Sequence, residues 1–362
     1  MSSGWIGLRD RTGGMFAPAG PGSTAAVAVD PDTVLPRGTV MAEFRTDPGV
    51  GTRNLIRLAA RDPWPVGLTL CIDAAGTLRL MQTQGQSHRD WHLPTDLTRP
   101  DETAIVTFCW DGPARRGRLT LYVPDRQVLH CLELDAPLPL SLRDAERLTG
   151  PGDLCRQSDR VLWLAVADRL IPAGPMPTLG ADALIATPRG SRPIATLRAG
   201  DSVLTESGES AQIRWAGAVD LPARGHFAPV VLRAPWFDLS HDLVVSPAAR
   251  LLLTGSDLDY LFGHERVSVR AHHLVDGRTV RMRAAAPVMR YHHLVLDDHA
   301  VFRANGAAIE SLDIAPLLAD PAALAASVVG AMPRELLPRG PSLQHPVLRE
   351  FEATTLRRMR AA

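Results

Sequence analysis

No cysteine occurs after Cys155; the four in the chain, Cys71, Cys109, Cys131 and Cys155, all lie in its first half. None is spaced as CxxC or as a zinc ligand set, which argues against a thioredoxin-type motif and a zinc centre. Cys71, Cys109 and Cys131 sit in the apolar runs LTLCID, VTFCWD and LHCLEL, where a free thiol behaves as a small buried hydrophobe. Free thiols in a reducing compartment are therefore expected, with a Cys109–Cys131 disulfide as the alternative. Net charge is absent too: Lys+Arg and Asp+Glu are 39 each, so no field favours nucleic acid or an anionic membrane, and no nucleic-acid partner is expected. No apolar window reaches the roughly 18 residues of a spanning helix, so no membrane span is expected. The start, MSSGWIGLRDRTGG, lacks a basic segment followed by an apolar one, so it is not a standard signal peptide. Export would need a signal-peptide-independent route or association with a particle; otherwise the chain stays cytoplasmic. No cofactor is expected.

What is present is a long series of short strands. At 362 residues the chain has room for two domains. Residues 1–36, rich in Gly, Pro, Ala and Asp, read as an extended lead-in with one or two strands. Strands follow at 39–45, 54–59, 67–72, 78–82, 104–110, 118–123, 128–134 and 161–170, separated by turn clusters such as Asp111-Gly112-Pro113. This spacing predicts an antiparallel sandwich. The succession G-L-T-L-C-I-D-A-A-G-T-L-R-L, A-I-V-T-F-C-W-D-G, G-R-L-T-L-Y-V and L-W-L-A-V-A-D-R-L resembles concanavalin-like jelly rolls of the laminin-G-like kind.

The stretch 181–205, ADALIATPRGSRPIATLRAGDSVLT, reads as strand 184–187, Pro188-Arg189-Gly190 as punctuation, a second strand over 194–197, and a turn at 198–201 before Val203-Leu204. It resembles the opening of the Hint module shared by hedgehog proteins and inteins, in its bacterial form: a cysteine, then L/I-A-T-P-x-G, then P-V/I-x-x-L-x-x-G-D-x-V-L-T. Later strands read as 211–215, 230–232, 243–245, 250–253, 267–269, 279–282, 293–296 and 300–304. The expected fold class is thus mainly β. A jelly-roll sandwich spans 1–172, a Pro/Gly linker 173–177, a Hint-like all-β domain 178–315, and a helical tail 316–362 packs back on the latter. In that tail 316–332 is Ala/Leu-rich and reads as helix. After the break at 338–341, residues 344–360 carry Val347, Phe351 and Thr355 at i, i+4 and i+8, with Leu348 and Met359 alongside, as an apolar helix face. A partner-binding helix is the alternative.

The Hint resemblance implies a definite chemistry. A Cys, less often Ser or Thr, at the first position attacks the preceding carbonyl. A block histidine protonates the departing nitrogen, and the end of the module resolves the ester, through His-Asn in inteins. The family spacing puts the first position at Thr178, just after the proline-rich linker. The family block L-V-S-P-x-H-R-x-L-L corresponds to Leu243-Val244-Val245-Ser246-Pro247-Ala248-Ala249-Arg250, so the histidine position holds Ala249. His241, eight residues upstream, reads as a turn or edge histidine. The third region survives: Ala271-His272-His273-Leu274-Val275-Asp276-Gly277-Arg278 resembles A-K-H-L-V-N-G-R, and 291–301 resembles Y-x-H-L-x-L-x-x-H-x-V, followed by Asn305-Gly306. His273, His293, His299 and Asn305 are the framework residues this assigns, and Asn305-Gly306 is equally an ordinary turn signal. An intein's His-Asn end is replaced by Ala307-Ala308-Ile309-Glu310-Ser311. With the nucleophile and the acid both replaced, the autoprocessing site reads as degenerate.

Other readings stay open. One histidine from each of the pairs His272/His273 and His292/His293 could converge with His299 or Asp297 on a metal, although HxH and HExxH are absent and no metal site is assigned. In the sandwich, Trp64 and Trp91, with Asp90, are candidates for a sugar; Trp91 reads as lying in the polar loop SHRDWH, and Trp110 as core. The leading expectation is a non-enzymatic secreted, surface or particle-associated protein binding a glycan or a surface protein. The alternatives are slow self-cleavage at Pro177–Thr178 and a lectin-like module.

Overall fold

The computed structural model describes residues 4–361 apart from 22–28, 48, 50, 63, 98, 285 and 339–344. The chain divides into two units: residues 1–174 with 320–330, and residues 175–319 with 331–362.

In the first unit a seven-stranded sheet runs, in spatial order, Val128–Asp135, Arg116–Val123, Thr103–Asp111, Arg37–Arg45, Val161–Ala167, Trp5–Asp10 and Gly13–Phe16. The other sheet has five strands, Cys155–Gln157, Arg53–Ala60, Val66–Ile72, Leu78–Gln84 and Ser87–Leu93. Every ladder is antiparallel. Alternation along each strand sends one set of side chains inward. Val40, Ala42 and Phe44 from the first sheet meet Leu68, Leu70 and Leu80 from the second in one continuous core. The expected jelly-roll sandwich is what the chain forms. Trp110 is fully buried, as anticipated, and its indole N–H donates to the Leu35 carbonyl at 2.8 Å. Gly38 makes room for it: a Cβ there would stand 2.1 Å from the indole ring.

This unit departs from the sequence expectation in four features: the short strand Cys155–Gln157 was not expected, the strand expected over 161–170 ends at Ala167, and the other two are the place of Trp91 and a helix. Trp91 lies in a strand, Ser87–Leu93, rather than a loop, and is half-buried against the core. That strand is the edge of its sheet, so only one side pairs and most of its polar side chains face solvent; SHRDWHL therefore carries little strand signature. Helix Leu142–Thr149 was not anticipated. Ser141 and Asp144 close a capping box at its start, a signal legible as S-x-x-D.

The second unit holds a seven-stranded sheet in the order Ser202–Leu204, Ser210–Pro222, Val288–Leu296, Leu179–Gly180, Leu243–Val245, Val230–Leu232 and Val280–Met282. Its six-stranded companion runs Gly190–Pro193, Leu184–Thr187, Val301–Ala304, Ala307–Glu310, Arg250–Thr254 and Arg266–Arg270. Leu179, Ile185, Val245, Leu251, Val269, Leu294 and Phe302 from both sheets share one core. The opening hairpin is shorter than expected. The return strand is Gly190–Pro193, directly after Pro188-Arg189, and 194–197 is a 3-10 turn (Ile194–Thr196) with its cap residue. The hairpin register is set by the two-residue turn, with Gly190 at φ 99°, so the strand is used up before the apolar Ile194.

The tail departs further. The 316–332 helix is reduced to the 3-10 turn Ala315–Leu317 and the helix Pro321–Ala326. Asp320 caps the Ala322 and Ala323 N–H groups with Pro321 at the first helical position, and together they fix the start. Residues 320–330 group with the first unit, not with the Hint-like part: the Ala326 carbonyl accepts from Ala173 N, and Arg118 donates to the Ala325 carbonyl. Helix Glu350–Ala361 does belong to the second unit, but on a different face from the one expected. Leu348, Ala353 and Leu356 are buried, whereas Phe351 is 63 % exposed and Val347 and Met359 also face outward. Residue 344 and the 339–341 part of the break lie outside the described residues.

Candidate functional site

Thr178 stands at the head of the short strand Leu179–Gly180, in the middle of the seven-stranded sheet. Leu179 pairs with Val245 on one side and His292 on the other. Continued by one residue, that register sets Thr178 between Ser246 and His293. The Ser246 N–H donates to the Thr178 carbonyl at 2.7 Å, in keeping with it. Pro177 and Thr178 are both buried. The Thr178 hydroxyl is buried and has no hydrogen-bond partner among the described residues.

Ala249 is 1 % exposed and packed in the core. Its N–H donates to the Ser246 carbonyl and its carbonyl accepts from Ala271 N, which ties the block to the turn carrying His272 and His273. Those two rings lie 3.9 Å apart between centroids, and His272 Nδ1 is 3.0 Å from the Pro247 carbonyl. His241 is exposed beside Ser240, with Nδ1 3.1 Å from the hydroxyl.

His293 is buried, and its Nδ1 has no hydrogen-bond partner among the described residues. Burial, helped by the nearby His299, pushes its pKa down to about 3, so it is neutral near pH 7. His292 is shifted down as well, by burial and by Arg290. His299 turns toward the last strands: Nδ1 is 2.8 Å from the Ser311 hydroxyl and Nε2 is 3.6 Å from Glu310 Oε2. Glu310 also accepts from the Ser268 hydroxyl and, at 3.4 Å, from Arg250. Burial pushes the Glu310 carboxyl up, but the bonds from His299 and Ser268 and the Arg250 charge outweigh it, and the net direction is down. Glu310, Ser268 and Ser311 were not anticipated; a buried acid inside A-A-I-E-S leaves no periodic mark on the sequence.

Asn305 serves the backbone. It sits at φ 51°, and its Oδ1 accepts from Leu184 N at 2.7 Å while Nδ2 donates to the Asp242 carbonyl at 3.0 Å. Gly306 follows at φ 104°, where a Cβ would come within 2.2 Å of the Asp238 carbonyl. The framework residues therefore occupy three places: His293 with His299, His273 with His272, and Asn305 at the turn. Among the described residues no group of three or more His, Cys, Asp or Glu is placed to hold a metal ion.

Residues 177–316 match the family model of the Hint domain. Over these residues the chain is similar to the Hint family. Among solved structures, the MchDnaB-1 intein is similar at 14% identity and a TM-score of 0.26, over 37% of this chain and 98% of the intein. The CBM40 of the Ruminococcus gnavus IT-sialidase, bound to α2,3-sialyllactose, is similar at 13% identity and a TM-score of 0.28, over 37% of this chain and 77% of that one. The leech intramolecular trans-sialidase complexed with 2,7-anhydro-Neu5Ac shares 10% identity at a TM-score of 0.28, over 51% of this chain and 29% of that one. No curated protein matched the chain.

In the sandwich, Trp64 is 57 % exposed. Asp90 is engaged by Arg79 from the neighbouring strand, through Nε at 2.8 Å and a second bond from Nη2, and lies 3.2 Å from His92. The Arg79 bonds hold its carboxyl below the usual range. Neither tryptophan nor Asp90 lines the cleft of about 310 Å³ on this unit, which is bordered by Arg45, Arg53, Asn54, Asp159 and Arg160. Arg53 Nη1 is buried there without a hydrogen-bond partner among the described residues. All four cysteines are free thiols, and burial pushes Cys131 and Cys155 up to about 11. Among the described residues no helix is long and apolar enough to cross a membrane.

Proposed function

We propose that this Hint-like domain has lost self-cleavage and that the chain acts as a binding protein through its N-terminal sandwich. The observation that carries this is the Thr178 hydroxyl, buried with no base hydrogen-bonded to it, while the acid position holds Ala249. A hydroxyl without a base is a weak nucleophile, and loss of a general acid typically costs about 10²–10⁴ in rate. Intact mass of the purified chain, with and without hydroxylamine, tests it. A single full-length mass is expected, and fragments split between residues 177 and 178 would refute the proposal.

A second reading, slow self-cleavage at Pro177–Thr178, is favoured by one feature: His293 is the cross-strand neighbour of Thr178, is neutral, and also has an unpaired nitrogen. In that reaction Thr178 Oγ bonds to the Pro177 carbonyl carbon and the C–N bond breaks. The hydroxyl proton ends on the freed amine, and hydroxylamine then opens the ester. Thr178→Ala and His293→Ala would each abolish such fragments; fragments unchanged by Thr178→Ala would come from a contaminating protease.

For the sandwich we favour a glycan over a surface protein as partner. The polar cleft beside Arg53 offers several hydrogen-bonding groups in one concave place, as sugar hydroxyls or a sugar carboxylate require. A glycan array should give hits that weaken with Arg53→Gln, or with Trp64→Ala if the exposed indole stacks on the sugar. An array without hits would count against a glycan.

A further inference from the structure

A groove of about 720 Å³ lies in the second unit, where helix Glu350–Ala361 meets the Hint-like domain. Neither Thr178 nor Ala249 lines it. Its apolar lining comes from Leu252, Leu274 and Leu356, all buried, and from Trp236 and Phe237. Trp236 is 46 % exposed, with the Arg278 guanidinium 6.0 Å from its ring centre. The segment that presents these two rings is strained. Phe237 and Asp238 follow one another at φ 58° and 60°, a conformation that Asp tolerates but that costs a bulky side chain such as Phe237. Backbone held this way clusters at ligand clamps.

The charges of the groove are unbalanced. Its cations are Arg278, Arg303, Arg357 and Arg360, and the chain contains no lysine. Arg360 is neutralised by two bonds to Asp257, and Glu206 by Arg266. Arg278, Arg303 and Arg357 have no carboxylate partner among the described residues; Arg303 donates to the Gly306 carbonyl and Arg357 to the Val275 carbonyl. Against them stand two acids. Asp276 is already committed to the N–H groups of Arg278, Thr279 and Val280 and to the Thr279 hydroxyl. Those donors are neutral and leave the Asp276 charge in place, so two carboxylates, Asp238 and Asp276, face three guanidinium groups, and the groove keeps a net positive charge.

We propose that this groove binds a small organic anion with a flat apolar body, of the aromatic carboxylate or sulfonate class. The ring would lie against Trp236 and Phe237, and the acid group would take the open donors of Arg278 and Arg303. The volume falls in the range of small-molecule sites, and arginine presents a planar fork to such oxyanions.

The test compares two probes with the same ring system, anionic 8-anilinonaphthalene-1-sulfonate and neutral N-phenyl-1-naphthylamine, titrated by fluorescence into the full chain. One saturable site is expected for the anion, with affinity falling as salt rises. Arg278→Gln with Arg303→Gln should weaken the anion about tenfold or more and leave the neutral probe unchanged, whereas Trp236→Ala should weaken both. Calorimetric unfolding of each variant shows that it is folded, and the salt series on the unaltered chain stands even where a variant is not. The proposal is overturned if the anion binds the double glutamine variant as tightly as the parent, if salt leaves its affinity unchanged, or if Trp236→Ala alters neither probe.

Discussion

Replacing Asn305 with alanine should destabilise the second unit by an amount that can be built from its bonds. Two partly buried backbone groups lose their partners, the Leu184 N–H at 2.7 Å and the Asp242 carbonyl at 3.0 Å. An orphaned group costs about 1–3 kcal/mol, and the partial exposure here favours the lower half of that range. Alanine must also take up the left-handed φ of 51° that asparagine tolerates, which adds about 1 kcal/mol. The sum is about 3–5 kcal/mol, or roughly 10 °C in Tm for a unit of this size. Asn305→Gly separates the contributions: it loses both bonds but escapes the backbone strain, so it should recover about 1 kcal/mol relative to alanine. Differential scanning calorimetry of parent, Asn305→Ala and Asn305→Gly gives all three values. If the alanine variant lies within 1 kcal/mol of the parent, or glycine proves no better than alanine, the backbone role of Asn305 is wrong.

Two further outcomes follow from burial. The folded-state pKa of His293, about 3, lies below its ordinary 6.5, so between those values the unfolded chain holds a proton that the folded chain does not, and stability is lost on acidification. Urea midpoints at pH 7.5 and 5.0 should show a loss of about 2 kcal/mol from this group, reduced in His293→Leu; the Glu310 contribution is lost only below its ordinary 4.5, as pH falls through its lowered folded-state value. On the last helix, Leu356→Ala should cost about 2–5 kcal/mol, while Phe351→Ala should stay within about 0.5 kcal/mol; the reverse order in thermal unfolding would restore the face read from sequence spacing.

Most strands could be read from the sequence because alternation is a local property: 230–232 and 243–245 were placed to the residue, and most others to within two at each end. Misreadings cluster where an element's environment, not its own pattern, decides. Ser87–Leu93 is an edge strand with few inward positions, and Glu350–Ala361 turns its less apolar face inward because Leu348, Ala353 and Leu356 fit the core. The candidate site divides the same way. Thr178 and Ala249 are legible because the flanking motif residues fix their positions in the chain, but nothing local reveals that the Thr178 hydroxyl has no partner.

By itself, then, the sequence determined the fold class, the Hint grammar and the identity of the residues at the cleavage positions, since each rests on short-range pattern and chain order. Only the tertiary structure decided which polar groups meet. It set His299 against Glu310 and Ser311, and Asn305 between Leu184 and Asp242. It also left three arginines lining one groove without a carboxylate partner among the described residues. Hydrogen bonds and desolvation depend on partners distant in sequence, and strand periodicity carries no record of them.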